Sequence, residues 1–460
     1  MNKNTQKPQQ GIDFSTWSMV KRLAGVYLRP YVRKLTIALS FMVVASAMTA
    51  AFAWLVEPVF DRVLVGQRKG LVVPMAFAVF ACFLIRGLAS YVHTLLMNRI
   101  GQCIVADIQR DLFSSLLRLD LRFFHGNPSG QLVSRIISDV QAVRGAVSDT
   151  LTGMGRNLLT LLFLVALMFY QDWRLAVISF FAFPFAAIFV SWIGRRLRKI
   201  SKNIQAETGI LTALLIQIFQ GVRQVKAYDT ESFEQQRSGM AIDRVRDLNI
   251  KAIRVATLAT PFNETLLGLA VMAVIIYGGY QVSAGLLTVG ELTSFITAFA
   301  LAYEPMKRLA KLNNTLQIGL GAGERIFEMM DKRPEIRNRP GAGVLDVKKP
   351  EIVFEHVSFG YGLDEEHALK DISFTLPAGK VTALVGPSGS GKTTAMNLVA
   401  RFYDVLEGHI LIDGHDIREV TLESLRRHIA LVSQDVTIFD DTVKANIAYG
   451  RPEVSDDDIH

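Results

Sequence analysis

Apolar residues fill long runs through the first 310 positions, and short alternating segments replace them after residue 350. Runs near 35–60, 71–98, 148–171, 174–194, 258–282 and 289–310 read as six membrane spans. Leu175–Gly194 carries no charge over twenty residues, and about 20 apolar residues cross the hydrocarbon core of a bilayer. The other runs hold from one to four charges each. The polar stretches after the second and fourth runs keep helical periodicity, so the spanning helices are expected to continue into the cytoplasm there. Ser15–Lys34 reads as an amphipathic elbow helix lying on the inner surface.

From Glu351 the pattern shortens to strands. Ile352–Phe354, Val357–Phe359 and Ile372–Leu376 come first, and His409–Asp413 runs into an Asp-Gly turn. Val381–Val385 and Ile429–Val432 read as further short strands. The stretch Asp331–Gly343, rich in charge, proline and glycine, reads as a linker. The expected organisation is an N-terminal cytoplasmic segment with the elbow (1–34), a six-span all-α domain with helical extensions (35–325), a linker (326–350) and a partial nucleotide-binding domain (351–460). The fold class is a helical membrane domain followed by an incomplete α/β P-loop domain.

That last assignment rests on Gly386-Pro387-Ser388-Gly389-Ser390-Gly391-Lys392-Thr393, a match to G-x-x-x-x-G-K-[ST]. An apolar stretch precedes it and a helical pattern, from Thr394, follows. Glycines let backbone N–H groups close around phosphate oxygens, and a helix N-terminus adds partial positive charge. Lys392 would reach the β- and γ-phosphates, and the Thr393 hydroxyl would ligate Mg²⁺. ATP and Mg²⁺ are therefore the expected ligands. Tyr361 sits in a glycine-flanked loop, where its ring either stacks on a base or serves as an ordinary turn residue.

The net charge of +8 does not point to nucleic acid, because the basic residues cluster between apolar runs. Lys21, Arg22, Arg29, Arg33 and Lys34 precede the first span, and Arg195, Arg196, Arg198, Lys199 and Lys202 follow the fourth. This bias puts the N-terminus and the nucleotide domain in the cytoplasm, with Arg62, Arg68 and Lys69 as a minor violation. Cys82 and Cys103 supply neither a disulfide framework nor a metal spacing. Arg86, Arg156 and Lys307 fall within or beside spans. Either they line a cavity that accepts an anionic substrate, or they pair with Glu264, Glu304 or backbone carbonyls, or they snorkel to the interface.

Phe123–Arg135, Ile410–Arg418 and Ala430–Gln434, set beside six spans and a P-loop, make the chain resemble an ABC-type exporter half-transporter, nearest the lipid A export flippase group. The resemblance implies the type-1 transmembrane fold and a homodimer in the bacterial inner membrane. It implies ATP-driven export or flipping of a lipid by alternating access. Phe123–Arg135 would be the first coupling region. Tyr361 would stack on adenine, Gly386 to Thr394 would hold the phosphates, and Gln434 would contact Mg²⁺ and report nucleotide state. Arg86, Arg156 and Lys307 would face lipid phosphates, whereas Glu304 departs from that pattern.

The family also uses a Leu-Ser-Gly-Gly-Gln-type signature, an apolar strand ending in Asp-Glu, and a later histidine. None follows Gln434 in these 460 residues. Asp413 ends the apolar Ile410-Leu-Ile run, but Gly414 follows it, so it reads as a turn residue. The chain is therefore expected to be cut short within the nucleotide domain and unable to hydrolyse ATP alone. The alternatives are a non-catalytic nucleotide-binding remnant or regulatory protein, a heterodimer subunit, and a drug or peptide as substrate.

Overall fold

The computed structural model describes residues 21–180, 182–362, 367–432, 437–451 and 453–459. Its contacts divide the chain into two units. One holds the chain to Ile108 and Asp139–Glu324; the other holds Gln109–Ser138 and everything from Arg325.

The first unit is built of long helices. A π turn (Leu23–Leu28) and a 3₁₀ turn (Arg29–Tyr31) lead into α1 (Val32–Pro58), so the elbow's first residues lie outside those described. Pro58 lacks an N–H, and the ladder widens after it to a π segment, Val59–Val65. α2 (Val72–Leu117) follows, and its residues from Gln109 belong to the second unit, as do α3 (Leu121–Gly126) and α4 (Ser129–Ser134). Short α5 (Val140–Arg144) then leads through a π turn to α6 (Thr150–Gln171). α7 (Trp173–Phe180), α8 (Ala182–Gln220), α9 (Val222–Ala227), α10 (Glu231–Thr257), α11 (Ala259–Ser283) and α12 (Val289–Met330) complete the series. Among the described residues, four helical runs are long and apolar enough to cross a membrane: Leu23–Val65, Lys69–Leu117, Ser129–Gln171 and Glu231–Ser283.

Large apolar side chains on these helices, such as Phe77, Phe80 and Leu88, point outward. Small residues are buried among larger ones: Ala53, Ala176 and Ala298 are fully enclosed beside Leu164, Leu175 and Phe295. Small residues let helix backbones approach where lipid supplies no hydrophobic drive, and polar groups tie them. Ser294 Oγ donates to Ala53 O at 2.6 Å, and Thr160 Oγ1 to Ser46 Oγ at 3.0 Å. Gly290 donates its N–H to Asp61 Oδ1 at 2.8 Å, and a Cβ there would stand 2.5 Å from Glu57 O.

The second unit is organised by a four-stranded antiparallel sheet. β1 (Ile352–Phe359) and β2 (Leu369–Leu376) pair, β3 (Glu407–Ile412) lies on β1's other side, and β4 (His415–Asp416) closes a hairpin, giving the order β2-β1-β3-β4. The hairpin turn places both Asp413 (φ 48°) and Gly414 (φ 77°) in the left-handed region, which matches the twist of the flanking strands. Phe354, Val357, Phe359, Leu369, Leu398, Ile410 and Leu425 form its core, with Leu345 of the linker stretch among them. Leu121 of α3 packs on this cluster. The long helix α12 runs to Met330 before that stretch begins.

Two expected strands do not form. Val381–Val385 is irregular, and Val381 and Val385 are 102% and 91% exposed. Ile429–Val432 is irregular as well. Neither finds a ladder partner among the described residues, and a strand cannot exist without one.

Candidate functional site

The phosphate loop is shaped by its glycines. Gly389 and Gly391 hold φ of 84° and 82°. Gly391 is the N-cap of α13 (Lys392–Val399), and a Cβ on it would lie 2.5 Å from Leu369 Cδ2 and 2.9 Å from Ala368 O. Conformation and space both exclude a side chain there. The helical ladder starts with Ala395 N–H donating to Gly391 O at 2.9 Å. The N–H groups before it are the orphan donors of a helix start, turned toward the loop. Lys392 Nζ folds back to donate to Gly386 O at 2.9 Å and Pro387 O at 2.7 Å, and lies 3.2 Å from Ser390 Oγ. Its charge is thereby kept at the loop's mouth. Thr393 is exposed, with a free path to a ligand, while Thr394 is buried.

Tyr361 stands beside this loop. Its hydroxyl lies 3.1 Å from Thr394 Oγ1, and its ring meets Phe359 and Tyr403 edge-on, at 5.0 and 5.3 Å between centroids. Tyr361 as a whole is 37% exposed. Tyr403 is buried, and burial first, then the nearby Tyr361, pushes its hydroxyl pKa up. Gln434 lies outside the described residues.

Asp413, which ends the apolar Ile410–Ile412 run, is occupied in a turn. Its Oδ2 accepts the N–H groups of Lys348 at 2.7 Å and Lys349 at 3.1 Å, and these bonds hold its carboxyl below the usual range. Asp456, Asp457 and Asp458 fill the first turn of a terminal helix, Asp456–Ile459, where negative charge suits the helix dipole. Among the described residues no group of three or more His, Cys, Asp or Glu side chains could hold a metal.

In the helical unit, Arg86 on α2, Arg156 on α6 and Lys307 on α12 are each half-buried. None has an acidic partner among the described residues. Glu304 pairs instead with Arg308, one turn along, at 2.9 Å, and Glu264 is exposed and makes no ion pair among those residues. The charges of Arg86 and Arg308 both act on Arg156. Arg86 and Arg308 are thus within electrostatic reach of Arg156. Arg308 reads in the sequence as positive charge beside Lys307 and Lys311 after the last span, and its pairing with Glu304 is that of neighbouring turns on a helix surface.

Two family models match the chain, one after the other. Residues 35–306 fit the family described as ABC transporter transmembrane region, and 369–459 fit the ABC transporter family. The chain belongs to the ABC transporter family. It is 39% identical over 453 residues to an ATP-dependent lipid A-core flippase of Syntrophus aciditrophicus, covering 98% of this chain and 75% of that protein. It is 37% identical over 441 residues to the flippase of the same name from Desulfotalea psychrophila, covering 96% and 77%. A bacterial Atm1-family ABC exporter with ATP bound superposes with a TM-score of 0.74 at 26% identity, over 93% of this chain and 75% of that one. The transporter thus has the helical exporter fold followed by a sheet-containing ATP-binding region, and is by family an ATP-hydrolysing translocase integral to the membrane.

Proposed function

We propose that this transporter exports or flips a lipid with an anionic headgroup across the bacterial inner membrane, using ATP, as half of a homodimer. The carrying observation is that Arg86, Arg156 and Lys307 are half-buried in the helical unit with no acidic partner among the described residues, and that the charge of Arg86 reaches Arg156. Charges at membrane depth are costly unless partnered, and phosphate groups would partner these. Lys307 sits one helical position from Arg308 and would add a point charge at the same level. The names of the flippase relatives favour a lipid A-like substrate over a drug or peptide.

At the nucleotide end, Gly386, Pro387, Ser388, Gly389, Ser390, Gly391 and Thr394 would form the cradle for the triphosphate. Lys392 would exchange its carbonyl partners for phosphate oxygens, and Tyr361 would stack on the adenine. The exposed Thr393 hydroxyl beside Lys392 fits a Mg²⁺ ligand, with Gln434 as a second; the ion would neutralise charge on the phosphates. Closure of two such domains would turn the cavity outward, with the N-terminus and the nucleotide domain on the cytoplasmic side.

Native mass spectrometry of the chain extracted from membranes tests the substrate class. A phosphorylated lipid should remain on the wild type and be lost from the Arg86→Ala, Arg156→Ala double variant. Equal retention by both would overturn the anionic-lipid reading. A fluorescent ATP analogue tests the loop, since Lys392→Ala should abolish its binding; undiminished binding would refute the assignment.

A further inference from the structure

The aromatic group beside the phosphate loop does not end at Tyr361. Thr394 Oγ1 lies 3.1 Å from Tyr361 OH, and the Tyr361 ring stands edge-on to Tyr403 at 88°. Tyr403 OH lies 2.9 Å from His125 Nδ1, and those two rings stack at 6.5 Å and 21°. His125 belongs to α3, which the chain places between membrane helices but which packs within the sheet unit. Every link in this series joins rigid rings or a short hydroxyl, so little slack can absorb a movement.

α3 is also firmly seated. Asp120 accepts the N–H of Glu335 at 2.5 Å and of Ile336 at 3.3 Å. Arg122 pairs with Glu335 at 3.2 Å, and Lys332 Nζ sits 5.1 Å over the Phe123 ring. Those contacts fix the helix; Leu121 packs on the core beneath, and His125 is the residue of the helix that hydrogen-bonds to the aromatic group. Tyr403, 3% exposed, has its hydroxyl satisfied by that histidine, and leaving a buried hydroxyl unpaired is costly.

We propose that His125 is a positioning residue for the nucleotide base. It fixes the rotation of Tyr403, which fixes the plane of Tyr361, so that α3 responds to a base on Tyr361 and not to the triphosphate alone. The phosphate cradle is hydrogen-bonded to this series through Thr394, whereas a base on the Tyr361 face would press on the ring that Tyr403 braces. This inference rests on the nucleotide-binding reading given above.

The test compares ATP with inorganic tripolyphosphate, which has the phosphates and no base, on the purified chain with Mg²⁺. ATP binding is read with a fluorescent analogue, and tripolyphosphate by its displacement. Tyr403→Phe and His125→Ala should weaken ATP about three- to tenfold, the loss of one hydrogen bond, and leave tripolyphosphate unchanged. His125→Asn, whose amide can pair with the hydroxyl, should restore ATP affinity. Hydrogen exchange across 121–134 should slow with ATP but not with tripolyphosphate, and Tyr403→Phe should lose that response.

Wild-type ATP affinity in both Tyr403→Phe and His125→Ala would overturn the proposal, as would equal weakening of the two ligands. Tyr361→Ala separates the levels. If it weakens ATP alone while the His125 and Tyr403 variants behave as wild type, only the His125 role falls. If the wild type binds no ATP, the nucleotide-site reading falls and this one with it.

Discussion

Two glycines of the phosphate loop share a backbone conformation but not their surroundings, and that difference can be measured. Gly389 and Gly391 have φ of 84° and 82°. Alanine in the left-handed region costs about 1–2 kcal/mol, and a smaller unfolded ensemble returns about 0.4–1 kcal/mol of it. These contributions are common to both positions. Around Gly389 nothing lies within 4 Å of an added Cβ, so Gly389→Ala should show little more than the conformational cost. At Gly391 the added carbon would meet Leu369 Cδ2 at 2.5 Å and the Ala368 carbonyl oxygen at 2.9 Å. Carbon atoms rest about 3.5–4.0 Å apart, so about 1 Å must be absorbed. Leu369 is 6% exposed within the core and Ala368 presents backbone, so neither can swing away. Crowding of this kind costs about 1–3 kcal/mol. Gly391→Ala should therefore be less stable than Gly389→Ala by about 1–3 kcal/mol, a ratio of about 5- to 150-fold in local opening. Hydrogen exchange at β1 and α13, compared between the two variants, reads that ratio directly. Equal exchange in the two would mean that the contact with β2 does not hold the loop, and the account given for its shape would be wrong.

Three further outcomes are expected. Asp120→Ala removes the acceptor for two backbone N–H groups, so exchange at Glu335 and Ile336 should quicken about fivefold, matching about 1 kcal/mol; unchanged exchange would show that α3 is seated by other contacts. Gly290→Ala would drive a methyl against Asp61 and Glu57 O, lowering the unfolding midpoint of the helical unit, followed by the fluorescence of Trp54 and Trp173, through a cost of about 1–3 kcal/mol; an unshifted midpoint would refute the close approach. Burial opposes the charge on Asp416, yet bonds from Arg418 and His409 outweigh it and hold the carboxyl well below its usual range. A depressed folded pKa gives stability that is full above the unfolded value of about 4 and fades as pH falls through the folded one. The β3–β4 hairpin should thus loosen in acid, and Asp416→Asn should flatten that dependence in exchange measured from pH 5 downward.

The long apolar runs made the helices legible, because a span of about 20 residues without charge has few other uses. The alternation in Ile352–Phe359 and His409–Ile412 was equally plain, and Asp413-Gly414 announced its own turn. Two strands were misread for one reason. Val381–Val385 and Ile429–Val432 have strand composition, but a strand is a relation between segments, and these have no partner among the described residues. The phosphate loop could be read because its chemistry is local, with glycines and lysine at fixed spacing. The contacts around it could not, since His125 and Tyr403 stand 278 positions apart and nothing in the coupling stretch that holds His125 points to Tyr403. Arg308 was hidden differently. Its nearest carboxylate in sequence is also its partner in space, so only the structure could add that its charge reaches Arg156.

The exposed Val381–Val385 segment changes how the loop's order should be understood. In a sheet-fed phosphate loop the preceding strand supplies the rigid base. Here the loop is held from its far side, by Gly391 packed on β2, by Thr394 bonded to Tyr361, and by Lys392 folded on Gly386 and Pro387. The lysine contact is the one that a triphosphate must break, and the other two are ones it would strengthen. Binding should therefore stabilise the loop through the contacts already present, by about 2.7 kcal/mol at a hundredfold excess over Kd. That gain should appear as slowed exchange in α13 and β2 and leave Val381–Val385 as open as before. Protection of Val381–Val385 by ATP would show instead that the nucleotide builds the missing strand, and that the loop's anchors lie on its near side after all.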